Sequence, residues 1–188
     1  MSAPASFAIS VDPSVTISPL IDLNADQATL FAAFKRLNLQ TTTYDHMPVF
    51  TVAESDFLKD TIPGTHGKSL LLTNKTGQVW MVSAADETKI DLKYLSDTLG
   101  TPRFSFAKPE VMTTLLHVTP GSLTPFAALF DTTCQVTVIL DAYLMQQDTC
   151  VFHPLINRQS TVMHTADLLR FLQDCGHAPR VMTLAPAA

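Results

Sequence analysis

The chain predicts an α/β fold, a single domain with a mixed, curved β-sheet surrounded by helices. Three observations carry that expectation. Segments with helical spacing alternate with short strands paired like hairpins, which favours a mixed sheet over separate helical and sheet layers. A length of 188 residues suits one domain with a real core. Hydrophobic residues make up 46% and charged residues only 15%, well below the roughly 25% of an average soluble protein. Disordered acidic tails, coiled coils and basic nucleic-acid arms need more charge than that.

Residues 1–23, with Ser, Ala, Pro and Val in little periodicity, read as an extended N-terminal arm or a partly ordered lead-in, with the folded domain running over 24–188. Asn24 is a good N-cap, Gln27 stands where a capping-box partner belongs, and Leu30, Phe31, Phe34 and Leu37 share one helical face. Thr41–Tyr44 is a short strand. His46 to Ser55 is a loop entering a short helix, with Thr51 as cap and Glu54 as its box partner. A turn-rich loop over Pro63–Lys68 opens onto a strand over Ser69–Asn74, and Lys75–Gly77 turns the chain into a second strand, Gln78–Ser83. Asp91 caps a helix that Gly100 ends. Arg103–Phe106 is a brief strand, and Pro109 opens a helix to Leu116. Gln135–Leu140 is the clearest strand, Cys150–His153 and Thr161–His164 are two more, and Thr165 caps a last helix through Cys175, ended by Gly176.

Composition also bounds function. A formal net charge of −5 argues against avid nonspecific binding to DNA, which phosphate neutralisation drives. Cys134, Cys150 and Cys175 form no C-x-x-C pair, so a reducing compartment and inert, buried thiols are expected. No apolar run approaches a membrane span, and the first basic residue is Lys35, unlike a secretory or transit segment. The expected location is the cytoplasm.

Several tempting motifs fail on their mechanics. Gly67-Lys68-Ser69 is no phosphate-binding P-loop: Ile62 stands where the first glycine belongs, and a strand follows where a helix N-terminus must face the phosphates. The six histidines show no metal-ligand spacing and read as loop or surface residues, so neither a metal nor another cofactor is expected. No G-x-S-x-G elbow is present, since Gly121-Ser122-Leu123-Thr124-Pro125 has the wrong order. The stretch Pro120–Phe126 is more informative. Two prolines and a glycine fix a non-helical backbone there, and Gly121 permits close approach of a ligand, with main-chain N–H groups free to hold an oxyanion. A rigid connector is the plainer alternative.

Four segments combine into a resemblance: His46-x-Pro48-x-Phe50-Thr51-Val52-x-Glu54, Pro63-Gly64-x-His66-x-Lys68, Pro120-Gly121-Ser122-x-Thr124-Pro125-Phe126 and His153-Pro154-Leu155. Trp80, Ile90–Lys93, Leu99-Gly100 and Phe104–Ala107 fit in the same order between them. Over about residues 24–180 the chain resembles the free-standing prolyl-tRNA editing proteins of the YbaK/ProX superfamily, notably the alanyl-tRNA(Pro) deacylase branch. The resemblance implies a trans-acting hydrolase that cleaves the ester joining a wrong amino acid, alanine above all, to the 3′ end of proline tRNA. It places the family's pocket lysine at Lys68, its glycine-x-x-x-proline loop at Gly121 and Pro125, and its late histidine at His153. Lys68 and Gly121 are then the catalytic candidates. His46, Phe50, His66, Ser122, Thr124, Pro125 and His153 are the substrate-binding ones, with His153 either a hydrogen-bond donor to substrate or a turn stabiliser. The implied partners are the acceptor end of misacylated proline tRNA and, to present or protect it, prolyl-tRNA synthetase or an elongation factor. Departures from the family pattern fall at Ser69 and Phe130, where asparagine is common, and at His117, which replaces a glycine. They bear on which amino acid is edited, cysteine and serine being alternatives to alanine, more than on the reaction class. A non-catalytic tRNA-binding module of the same fold is the other reading.

Overall fold

The computed structural model describes residues 14–49 and 56–186. The Asn24 cap forms as expected: its side chain accepts from the Gln27 N–H at 2.8 Å and starts α1, Ala25–Arg36. The capping box does not close. The Gln27 side chain is buried and donates instead to the Pro154 carbonyl at 3.2 Å and to Gln159 Oε1 at 2.8 Å. The first turn of α1 packs on the segment around Pro154, whose buried oxygens need a donor. The proposed cap Thr51 and its partner Glu54 lie outside the described residues; α2 covers Asp56–Lys59.

Among the described residues nine strands form one mixed, curved, unclosed sheet in the order β1-β2-β8-β7-β3-β4-β6-β9, with β5 pairing beside β3. Their ranges are β1 Thr16–Ile17, β2 Thr41–Asp45, β3 Thr65–Thr73, β4 Val79–Ala85 and β5 Ser105–Phe106. The remainder are β6 Val136–Asp141, β7 Thr149–Phe152, β8 Gln159–His164 and β9 Arg180–Met182. Pairs β3–β7, β4–β6 and β6–β9 are parallel, and the others are antiparallel. Three more helices complete the fold: α3 Leu92–Leu99, α4 Pro109–Leu116 and α5 Thr165–Asp174. Asp91 and Gly100 cap α3 as the sequence predicts, with Gly100 at φ +62°.

Four expectations need correction. Strand β3 begins at Thr65 rather than Ser69, because Thr65 and His66 pair with Cys150 and Val151 of β7. Part of the extended arm, Thr16–Ile17, joins the sheet by pairing with Tyr44 and Asp45. The Pro120–Phe126 stretch is not wholly non-helical: Thr124 accepts from the Phe126 N–H, and Pro125–Phe130 winds as a 3₁₀ helix with proline at its first position. His164, not Thr165, stands at the N-cap of α5, and the Thr165 hydroxyl donates to the Gln147 carbonyl at 2.6 Å.

The core lies on both faces of the sheet, and β4 explains why. As a strand covered on both sides requires, its run Val-Trp-Met-Val-Ser-Ala-Ala is apolar except for Ser83, whose buried hydroxyl pairs with that of Ser69 at 2.8 Å. Met81 and Ala85 pack with Leu30 and Phe34 of α1 and Leu168 and Phe171 of α5. Trp80 and Val82 pack on the other face with Leu95 and Phe104. Phe34, Phe126 and Phe171 meet edge to face with centroids 5.1–5.8 Å apart, tying both helices to the 3₁₀ turn. Among the described residues no helix is long and apolar enough to cross a membrane.

Candidate active site

β3 and β7 are paired only at Thr65–Cys150 and His66–Val151, and β5 meets β3 again only at Leu72 and Thr73. Between those points one edge of β3 has no strand beside it among the described residues, and there a cavity of about 310 Å³ opens. Its wall takes His66, Lys68 and Ser69 from β3 and Gly121 and Leu123 from the loop after α4. His153 just after β7, Asp86 after β4 and Ser160 of β8 add polar groups, and the Phe152 ring at the end of β7 closes one end. Val49, Leu58 and Val151 give it an apolar side.

Lys68 is half-buried, and its ammonium donates to the Asp86 carbonyl oxygen at 2.5 Å. That bond uses one of three N–H donors and swings the head group over the cavity. The Asp86 carboxyl, almost wholly buried, lies 3.6 Å from the Lys59 ammonium; burial raises its pKa while Lys59 opposes the shift.

The expectation of loop or surface histidines holds for some: His117 and His164 are exposed, whereas His177 is buried and the three near the cavity are not at the surface. His46 and His66 are buried and His153 is half-buried. His153 Nδ1 lies 2.7 Å from the Gln159 carbonyl, so the ring proton sits on Nδ1 and Nε2 keeps a lone pair. The His46 ring is held the same way, Nδ1 to the Met47 carbonyl at 2.7 Å, leaving Nε2 to accept from the Ser160 hydroxyl at 2.9 Å. His66 Nε2 donates to the Ile62 carbonyl at 3.0 Å. Burial lowers all three pKa values, His153 to about 4, so the three rings are neutral at pH 7. The centroids of His46 and His153 lie 5.9 Å apart. Each ring spends one nitrogen on a carbonyl; His66 and His153 border the cavity, and His46 stands behind Ser160. Among the described residues no group of three or more His, Cys, Asp or Glu is arranged to hold a metal.

Of the residues singled out from sequence, His66, Lys68, Gly121 and His153 therefore line one cavity. His46 reaches it through Ser160. Ser122, Thr124 and Pro125 are buried behind the wall, where Thr124 caps the 3₁₀ turn, and Leu123 is the loop side chain that faces the cavity. Phe50 lies outside the described residues. Gly121 has φ +87°, a conformation that favours glycine. After the 3₁₀ turn, Asp131 accepts from the main-chain N–H groups of Gln135 at 3.0 Å and Val136 at 2.7 Å and fixes the turn into β6. Asp86, Phe152 and Ser160 were missed; only the abrupt charge of Asp86 at the end of an apolar strand signals its place. Of the thiols expected to be buried, only Cys150 is; Cys134 is exposed and Cys175 partly so, and all three are free.

The profile of the aminoacyl-tRNA editing domain matches residues 46–171. A prolyl-tRNA synthetase associated domain-containing protein 1 from Danio rerio is 34% identical over 151 residues, covering 79% of this chain and 82% of its own length. The prolyl-tRNA editing protein ProX of Acetoanaerobium sticklandii is 30% identical over 165 residues, covering 87% of this chain and all of its own. Among solved structures, one described as a putative trans-editing enzyme for prolyl tRNA synthetase superposes with a TM-score of 0.65 at 17% identity, covering 88% of this chain and 99% of that one. At that identity the structural match speaks for the fold.

Proposed function

The chain belongs to the aminoacyl-tRNA editing domain family, and from that premise we propose that it is a trans-acting deacylase that hydrolyses a small, wrongly attached amino acid, alanine first, from proline tRNA. The observation that carries the reading is the convergence of Lys68, Gly121 and His153 on one small cavity from three separate parts of the chain. The names of the curated relatives support the same substrate class.

The chemistry needs little from the protein. An aminoacyl ester is already activated, so an oriented water and a stabilised oxyanion suffice without a protein nucleophile. Lys68 places positive charge where the ester carbonyl or a neighbouring phosphate of the acceptor end sits, as a compact point charge on a flexible stem. Gly121 lets the main chain approach the reacting carbonyl without a Cβ in the way. His153, neutral with its proton on Nδ1, presents Nε2 as an acceptor for a hydroxyl or water. The side chain of the amino acid then points toward the apolar wall. Binding alone separates small apolar groups by only about 10–200-fold, so a wall that limits size is the economical way to spare proline.

The test is deacylation of proline tRNA charged with alanine, cysteine, serine or proline. Turnover of the alanine ester with the proline ester spared is the expected result. Tight binding of the tRNA without turnover of any ester would instead favour a non-catalytic module.

A further inference from the structure

Gly67 and Phe152 stand next in register after the last β3–β7 pair, His66–Val151, at the point where the two strands part. Both line the cavity. A Cβ on Gly67 would stand 2.3 Å from Phe152 Cζ and 2.4 Å from Cε1, so the tip of the ring occupies the place of a side chain at 67. Gly67 is not among the residues with positive φ. What the position requires of glycine is room, not backbone freedom.

The ring has no space to retreat. Phe152 is 3% exposed and meets Phe126 edge to face at 6.2 Å, and Phe126, wholly buried, is packed in turn against Phe34 and Phe171. Close-packed interiors of this kind do not yield by a methylene without cost. The phenyl ring is therefore a fixed end wall, wedged into the fork between β3 and β7 and braced by the residue that follows Pro125.

We propose that Phe152, seated on Gly67, is the specificity-determining residue that sets the largest amino-acid side chain the cavity admits. The inference rests on the deacylase reading above and names the part of that site responsible for selection. A shorter side chain at 152 deepens the cavity. A side chain at 67 pushes the ring into it. The two changes together refill the space, which makes the pair a reciprocal volume switch.

Single-turnover rates on alanine-charged and proline-charged proline tRNA test it. Phe152→Leu should raise the ratio of proline to alanine hydrolysis at least about tenfold, the effect of a methylene or more of pocket space. Adding Gly67→Ala to Phe152→Leu should bring the ratio back toward that of the parent. A folded Phe152→Leu protein that hydrolyses the alanine ester with its ratio changed less than about twofold would overturn the proposal. Should Phe152→Leu not fold, Gly67→Ala alone should depress alanine relative to glycine hydrolysis, and an unchanged ratio there would overturn it equally. Binding of amide-linked alanyl-adenosine and prolyl-adenosine, by calorimetry, reads the same limit without turnover. If the parent protein hydrolyses no ester, the deacylase reading fails. The size limit then stands only if Phe152→Leu gains affinity for the prolyl compound relative to the alanyl one, and falls if it does not.

Discussion

The Lys68 ammonium donates to the main-chain oxygen of Asp86 at 2.5 Å, while the Asp86 carboxyl faces Lys59 at 3.6 Å. One residue after the end of β4 thus holds two cations apart, by its backbone on one side and its side chain on the other. Among the described residues Lys68 is held at the cavity by a neutral carbonyl and not by a salt bridge. Its charge remains available to an anionic or developing negative group.

That arrangement makes Lys68→Ala a clean test. The side chain is half-buried on β3 and its hydrogen-bond partner among the described residues is the Asp86 carbonyl, so the fold should survive its removal. Loss of one stabilising donor from a hydrolytic site costs about 10²–10³ in kcat. Circular dichroism unchanged from the parent, with deacylation down by that factor, is expected. Lys68→Arg should not restore activity, because a planar guanidinium cannot reproduce the position of a compact ammonium. Near-normal turnover by folded Lys68→Ala would remove the assignment.

Gly121→Val probes the loop. At φ +87° a β-branched residue is strained by about 1–3 kcal/mol, and its methyl groups would enter the cavity wall. The melting temperature should fall by several degrees, and kcat should fall further than that loss of folded protein explains. A variant as active as the parent would show that the loop is only a connector.

Local chemistry made much of this legible from sequence, and long-range pairing did not. Asp91 with Gly100, and Asn24 with the Leu30–Phe34 face, are signals that a helix carries within itself, and both helices formed where expected. The start of β3 was hidden because Gly64 and Gly67 look like turn residues; Gly67 is in the strand to make room for Phe152, a contact that no local pattern records. Strand β9 owes its place to parallel pairing of Arg180–Met182 with Ile139–Asp141, and its exposed residues carry no alternation to announce it. Within the site, the same limit applies. Motif residues Lys68, Gly121 and His153 could be picked out singly, whereas Asp86, Phe152 and Ser160 acquire meaning only once β3, β7 and β8 converge.

Burial of neutral histidines predicts a particular acid sensitivity. His46, His66 and His153 all have folded pKa values below the ordinary 6.5, His153 at about 4. Between pH 6.5 and 4 the unfolded chain therefore binds more protons than the folded one, and stability falls as pH falls through that window. Each group contributes a slope of up to about 1.4 kcal/mol per pH unit. Asp86 has the opposite sign, its raised pKa favouring the folded state at low pH, and offsets part of the loss. Urea midpoints measured from pH 8 to pH 4 should be level above about 7 and decline below 6.5, and His153→Asn should flatten the decline. A midpoint independent of pH across that range would contradict the neutral state of these imidazoles.

Selectivity for the tRNA is a separate matter from selectivity for the amino acid. A cavity that checks only side-chain size would also attack alanine on its own tRNA, where the ester is correct. The chain has 12 cationic residues against 17 acidic ones, so a broad electrostatic grip on RNA is not available to it. On the deacylase reading, selection between tRNAs is expected to use a few contacts near the cavity to the acceptor stem beyond the terminal adenosine, because phosphate contacts alone position a nucleic acid without reading its sequence. The expected order of initial rates is alanine on proline tRNA fastest, alanine on alanine tRNA slower, and a minimal acceptor fragment slowest, with proline on its own tRNA spared. Prolyl-tRNA synthetase or an elongation factor, added to the same assay, should change the rates by presenting or sequestering substrate. Equal rates on the two alanine tRNAs would place all tRNA selection outside this protein, and rapid loss of the proline ester would abolish the size limit itself.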